Sequence, residues 1–176
     1  VLEKEGIHLT PVSWHSAVFR VKNTDQLGRC WAFYAGLYHI QEEVSQLAGF
    51  ILNAQPGEQV LDLCAAPGNK TAQMAVAMKN TGTIIANDRQ YGRMRALGQT
   101  IKRLGLVNIA STVYDGAIFP KLSDHFDKVL VDAPCSCEGT VRKRSKKVVD
   151  PDAARSERLS QVQYALLKKA LRCCKP

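Results

Sequence analysis

Short apolar runs and helix-period stripes alternate along most of this chain. Tyr38 to Asn53 sets Val44, Leu47, Ala48, Ile51 and Leu52 at helical spacing and closes on Pro56-Gly57, which predicts a helix over 38–53. Gln59 to Leu63 predicts a strand, Thr71 to Lys79 a helix, Thr83 to Asn87 a strand and Tyr91 to Leu104 a helix. Ile109 to Val113 and Phe126 to Val131 supply two more strands. Leu159, Val162, Leu166, Leu167, Ala170 and Leu171 then mark the apolar side of a last helix. Such a succession predicts an α/β fold: an open parallel sheet with helices on both faces and binding at the carboxyl ends of its strands. The last helix should feed a fifth strand that the 176 residues do not contain, so the sheet is expected to be incomplete at its carboxyl end.

Residues 1–34 carry a different pattern. Ala17 to Lys22 alternates, Lys22-Asn23-Thr24-Asp25 is turn-prone, and Trp31, Phe33 and Tyr34 cluster. That is too little for a core of its own. It reads as the remnant of a preceding domain or a flap on the main unit, which occupies 35–176. With no initiator methionine and a stop directly after an amphipathic run, more chain is expected at both ends, including the remaining carboxyl-terminal part of the same protein.

Composition changes the picture in two ways. Lysine and arginine exceed aspartate and glutamate by 24 to 16, a net charge of +8 that favours an anionic partner. Arg142, Lys143, Arg144, Lys146 and Lys147 concentrate part of that charge in one short run, a candidate contact for a nucleic-acid backbone or a solvated loop. The six cysteines lack paired metal-ligand knuckles, so no metal is expected, and no apolar run reaches transmembrane length. A cytoplasmic protein without a membrane partner is the expectation, with the nucleus or nucleolus as the eukaryotic equivalent.

Two runs carry the chemistry. Asp62-Leu63-Cys64-Ala65-Ala66-Pro67-Gly68-Asn69-Lys70-Thr71 joins the first parallel strand to a helix, and Asp132-Ala133-Pro134-Cys135-Ser136-Cys137 follows the fourth strand. A tight Pro67-Gly68 turn opening a helix exposes backbone N–H groups to an electron-rich ligand. Neither a phosphate-binding G-x4-G-K-[ST] loop nor three spaced glycines are present, which disfavours nucleoside triphosphates and dinucleotides. Asp88, ending the second strand 20 residues beyond Gly68, stands where such sheets put a ribose-binding carboxylate. Asp115, after the third strand, is within reach of an adenine edge. An adenosine-containing cofactor follows from these three features together.

The first run closely resembles the S-adenosylmethionine motif of the Sun and nucleolar-protein family of RNA 5-methylcytosine methyltransferases. Asp132-Ala133-Pro134-Cys135-Ser136 resembles the family's active-site motif, and Gly36-Leu37-Tyr38-His39-Ile40-Gln41-Glu42-Glu43 its lead-in to the catalytic domain. The resemblance implies a Rossmann-like methyltransferase sheet in which Cys64, Ala65, Ala66, Pro67, Gly68 and Lys70 wrap the methionine part of S-adenosylmethionine. It further implies Asp88 on the ribose, Asp115 on the adenine amino group, Arg93 on the cofactor side, and residues 1–34 as a remnant of an RNA-contacting domain.

Carbon 5 of cytosine is a poor nucleophile, so a thiolate must first add to carbon 6. By resemblance, Asp132 orients the cytosine and adjoins the cofactor, Cys135 assists release of the product, and the attacking thiol comes from a Thr-Cys-Ser motif on the strand expected beyond Pro176. On local chemistry alone Cys135 is itself a candidate attacker. Cys173 and Cys174 fall in helical periodicity and suit packing or helix-end positions, and Cys137 stands where the family often has glycine. The expected substrate is a flipped or unpaired cytosine in structured ribosomal or transfer RNA. Two other readings remain: a methyltransferase with a different acceptor, and an RNA-binding assembly factor that has lost catalysis.

Overall fold

The computed structural model describes residues 2–22, 26–136 and 153–176. A two-stranded antiparallel hairpin, β1 (Thr10–Val12) and β2 (His15–Arg20), comes first. A one-turn helix α1 (Trp31–Tyr34) and a longer helix α2 (Glu43–Leu52) lead into the main sheet. There β3 (Gln59–Asp62), β4 (Thr83–Asn87), β5 (Ile109–Thr112) and β6 (Lys128–Leu130) run parallel in the order β5-β4-β3-β6. Helices α3 (Asn69–Ala77), α4 (Tyr91–Leu104) and α5 (Ala153–Cys173) complete the described elements. The four parallel strands are those the sequence pattern predicts, with β6 shorter at both ends.

Alternation along the strands sends side chains to two apolar layers. Val60, Ile84 and Leu130 face Ala72, Met74, Ala75 and Met78, and Ala48, Leu52, Ile101 and Leu104 pack against that layer. On the opposite face Leu61 and Leu63 meet Phe119, Phe126, Ala170 and Cys173. The sheet is therefore covered on both sides, as near-continuous apolar strands require.

Helix α4 has the span predicted for it, whereas α2 and α3 differ from theirs for identifiable reasons. Residues 38–42 do not extend α2, because the backbone at Glu42 is extended (φ −63°, ψ 137°). Helix α3 starts two residues early, directly on Gly68. On α5 the apolar stripe is narrower than the pattern implies: Leu166 and Ala170 are buried, whereas Leu167 and Leu171 are exposed.

The hairpin docks on α2. Arg20 makes two 2.6 Å hydrogen bonds to the Glu43 carboxylate, and the Trp14 indole N–H lies 3.4 Å from it. Trp14, His15 and Phe50 pack edge to face beside that ion pair. At the other end, the chain leaving α5 turns alongside the start of β6: Phe126 N–H donates to Cys173 O (3.0 Å) and Lys175 N–H to Phe126 O (2.9 Å), a parallel bridge. This places Cys173 in the core and Cys174 half-buried at the helix end, as the periodicity predicts.

Candidate functional site

The sheet builds outward from β3 through β4 to β5 and then resumes on the other side of β3 with β6, and ligands of open α/β sheets bind at such a switch point. A pocket lies there, lined by Ser45, Asp62, Cys64, Ala65, Ala66, Pro67, Asn69, Lys70 and Asp132. Both chemistry-bearing runs of the sequence thus converge on one cavity.

Its floor is the loop leaving β3. Leu63 N–H donates to Leu130 O (3.0 Å) and Ala65 N–H to Asn87 O (2.8 Å), so the loop continues the sheet between its neighbours before turning. The turn closes with Gly68 N–H donating to Ala65 O (2.7 Å), and Gly68 itself takes φ +105°, a region that only glycine enters freely. A Cβ at Gly68 would stand 2.8 Å from Leu97 Cδ1 and 3.2 Å from Leu97 Cα. The absence of a side chain lets α3 begin pressed against α4, with its first N–H groups at the pocket.

Charge is distributed unevenly around this floor. Asp62 is buried; Thr71 Oγ1 donates to its Oδ2 (2.7 Å), while its Oδ1 has no partner among the described residues. Burial raises this carboxyl to about 7, against the pull of the Thr71 hydroxyl and the Cys64 backbone N–H. Burial, reinforced by Asp62, Asp88 and Asp132, pushes the Cys64 thiol up to about 12, so Cys64 lines the pocket as an un-ionised thiol rather than a nucleophile. Lys70, mostly buried, forms an ion pair with Asp132, whose side chain remains 52% exposed. Cys135 lies exposed just beyond, in a loop tied to α5 by Gln163 Nε2 donating to Pro134 O (2.8 Å).

Asp88 and Arg93 take part in building the loop. Asp88 is buried at the end of β4; its Oδ2 accepts from Ala66 N–H (3.2 Å) and its Oδ1 from Gln90 N–H (2.9 Å). Arg93 sits 3.2 Å from Asp88 Oδ2 and also donates to Ala66 O, so the pair holds the N–H and the C=O of one cradle residue. Asp115 is exposed, and its Oδ1 caps the short turn at Gly116–Ile118 by accepting from Ala117 N–H (3.0 Å). Neither Asp88, Arg93 nor Asp115 lines the pocket itself. Arg142, Lys143, Arg144, Lys146, Lys147 and Cys137 lie outside the described residues.

The pattern of the chain did not point to several groups that support the site. Asn87 is fully buried: its amide donates to Leu63 O (3.1 Å) and Tyr114 O (3.0 Å), and its Oδ1 accepts from Thr112 Oγ1 and Tyr114 N–H, both at 3.0 Å. It fastens the carboxyl ends of β3, β4 and β5 together. His39 Nε2 lies 3.1 Å from Asn69 Oδ1, and Arg103 binds the other side of the ring. Burial, with the charge of Arg103, holds His39 below the ordinary histidine range despite the bond to Asn69. A polar residue closing an apolar strand was the visible sign of Asn87; His39 had only its place in a motif.

Comparison with known proteins finds relatives in sequence and in fold. Residues 49–176 match the model of a family described as 16S rRNA methyltransferase RsmB/F. Over 181 residues the chain is 36% identical to ribosomal RNA small subunit methyltransferase F of Shewanella amazonensis, covering all of this chain and 39% of that protein. The Vibrio cholerae protein of the same name is 42% identical over 177 residues, covering 96% of this chain and 36% of its own length. The crystal structure of a methyltransferase homologue from Pyrococcus horikoshii superposes with a TM-score of 0.86 at 32% identity, over 99% of this chain and 55% of that one. The chain thus spans well under half the length of these two curated relatives.

Proposed function

The chain belongs to the RsmB/F family of 16S rRNA methyltransferases, and on that premise we propose that it binds S-adenosylmethionine in the β3–α3 cradle and takes part in methylating carbon 5 of a cytosine in structured RNA. The observation that carries this reading is the convergence on one pocket of the cradle and of Asp132, held by Lys70 at its rim.

The residues present fit this cofactor. An amino-acid end carries an ammonium and a carboxylate; the partnerless buried Oδ1 of Asp62 suits the first, and the opening N–H groups of α3 with Lys70 suit the second. Cys64, Ala65, Ala66 and Pro67 would wrap its apolar stretch. Asp88 reaches a ribose if Arg93 yields one oxygen, and Asp115 an adenine edge by leaving its cap. Bound there, S-adenosylmethionine supplies an electrophilic methyl group.

The remaining work belongs to the protein. Asp132, as a carboxylic acid, would donate a hydrogen bond to ring nitrogen 3 of the cytosine, stabilising the negative charge that develops as a thiolate adds to carbon 6. That thiolate would come from the strand following α5 in the full-length protein. Cys135, exposed three residues beyond Asp132, would assist as the carbon 5 proton leaves and the carbon–sulfur bond breaks. The basic run from Arg142 to Lys147 would neutralise RNA phosphates.

The test is transfer of labelled methyl by the full-length protein to unmodified 16S rRNA, free and in the small subunit, and to transfer RNA, followed by nucleoside digestion. Label in 5-methylcytosine that disappears with Asp132→Ala supports the reading. Label in another nucleoside would assign a different acceptor. RNA binding without label would make the protein a binding factor.

A further inference from the structure

Helix α4 ends in an arginine with an unusually complete set of partners. Arg103 Nη1 donates to Phe33 O (2.8 Å) and Tyr38 O (3.0 Å), and its Nη2 lies 2.8 Å from His39 Nδ1. Its guanidinium carbon is 3.9 Å from the centroid of the Phe33 ring. The segment between those contacts is pressed onto the end of α4: Gly36 has φ +74°, and a Cβ there would fall 2.1 Å from Arg103 O. The position of His39 is thereby fixed from the side away from the pocket.

The chemistry of the two partners then fixes its proton. A guanidinium has only donors and stays charged, so Nδ1 of His39 must be the acceptor. The ring is neutral and carries its hydrogen on Nε2, which donates to Asn69 Oδ1 at 3.1 Å. With Oδ1 committed, the other branch of the Asn69 carboxamide is its NH2. That group has no hydrogen bond among the described residues, and Asn69 lines the pocket as the first residue of α3.

We infer that His39 is a positioning residue for the cradle: relayed from Arg103, it holds the Asn69 carboxamide with its NH2 available to an acceptor in the pocket, the carboxylate at the amino-acid end of the cofactor. Without the ring the carboxamide turns freely, and half of its orientations present an oxygen to that anion. Asn69 makes the contact; His39 sets its polarity. The inference rests on the cofactor reading above.

Calorimetric titration of the full-length protein with S-adenosylhomocysteine, alongside thermal melts, tests it. His39→Phe should weaken binding about tenfold, the scale of one net hydrogen bond. His39→Gln should stay within about threefold, because one amide offers an acceptor to Arg103 and an NH2 to Asn69. In an Asn69→Ala background His39→Phe should cost nothing further. Loss of melting temperature with unchanged affinity, or an equal loss in both backgrounds, would overturn the relay. Nitrogen NMR of the His39 ring gives a readout independent of the cofactor: a hydrogen on Nδ1 would also overturn it. Failure of the unaltered protein to bind S-adenosylhomocysteine would instead remove the cofactor reading, and the inference with it.

Discussion

Asp62 and Asn87 show how differently two buried polar side chains are treated. Asn87 satisfies all its groups, and Asn87→Ala, which leaves two carbonyls, a hydroxyl and an N–H short of partners, should cost roughly 2–4 kcal/mol in a denaturant melt. Asp62 keeps one oxygen without a partner among the described residues and holds its proton up to about 7 against an ordinary value of 3.8. Between those two values the folded protein binds a proton that the unfolded chain releases, so this group's contribution to stability falls as pH rises from about 4 to about 7. Asp62→Asn has no such slope. Its melting temperature relative to the unaltered protein should therefore climb by several degrees across that window, and a constant offset would mean that Asp62 is not the buried acid described. The cradle residues from Cys64 to Lys70 were legible because their spacing is local. The partners of Asn87, Asp62 and His39 lie on other elements, and nothing in a linear pattern joins position 39 to 69 and 103.

At the level of elements, the parallel strands and their helices were legible because apolar periodicity decides which face a segment buries. Boundaries were less so, since they depend on contacts made by the ends. Residues 38–42 have the composition to extend α2, yet Tyr38 and His39 are spent on Leu27 and Arg103 instead. Helix α3 begins early because Gly68 can take a left-handed conformation and admit Leu97. Gly68→Ala tests that directly: the added methyl is strained in backbone and in contact. Stability should drop by roughly 1–3 kcal/mol, and affinity for S-adenosylhomocysteine should fall more than in a distant variant of equal stability. Calorimetry and urea melts on the same samples separate the two effects.

For the whole molecule, the two apolar layers hold α3 and α5 on opposite faces of one sheet, and Phe126 is the largest fully buried side chain on the α5 side. Phe126→Ala should cost roughly 3–5 kcal/mol by urea titration, and should open α5 to protease before α3. The layered arrangement followed from the sequence; the docking of the amino-terminal hairpin on α2 did not, because Arg20, Glu43, Trp14 and Phe50 meet across long separations. The ion pair of Lys70 with Asp132 joins these scales. One member stands on the first turn of α3 and the other beyond β6, so a ligand of the cradle that draws on Lys70 also frees the Asp132 carboxyl for the cytosine contact proposed above. The two occupants are then thermodynamically linked: each must alter the other's affinity by the same factor, whichever arrives first.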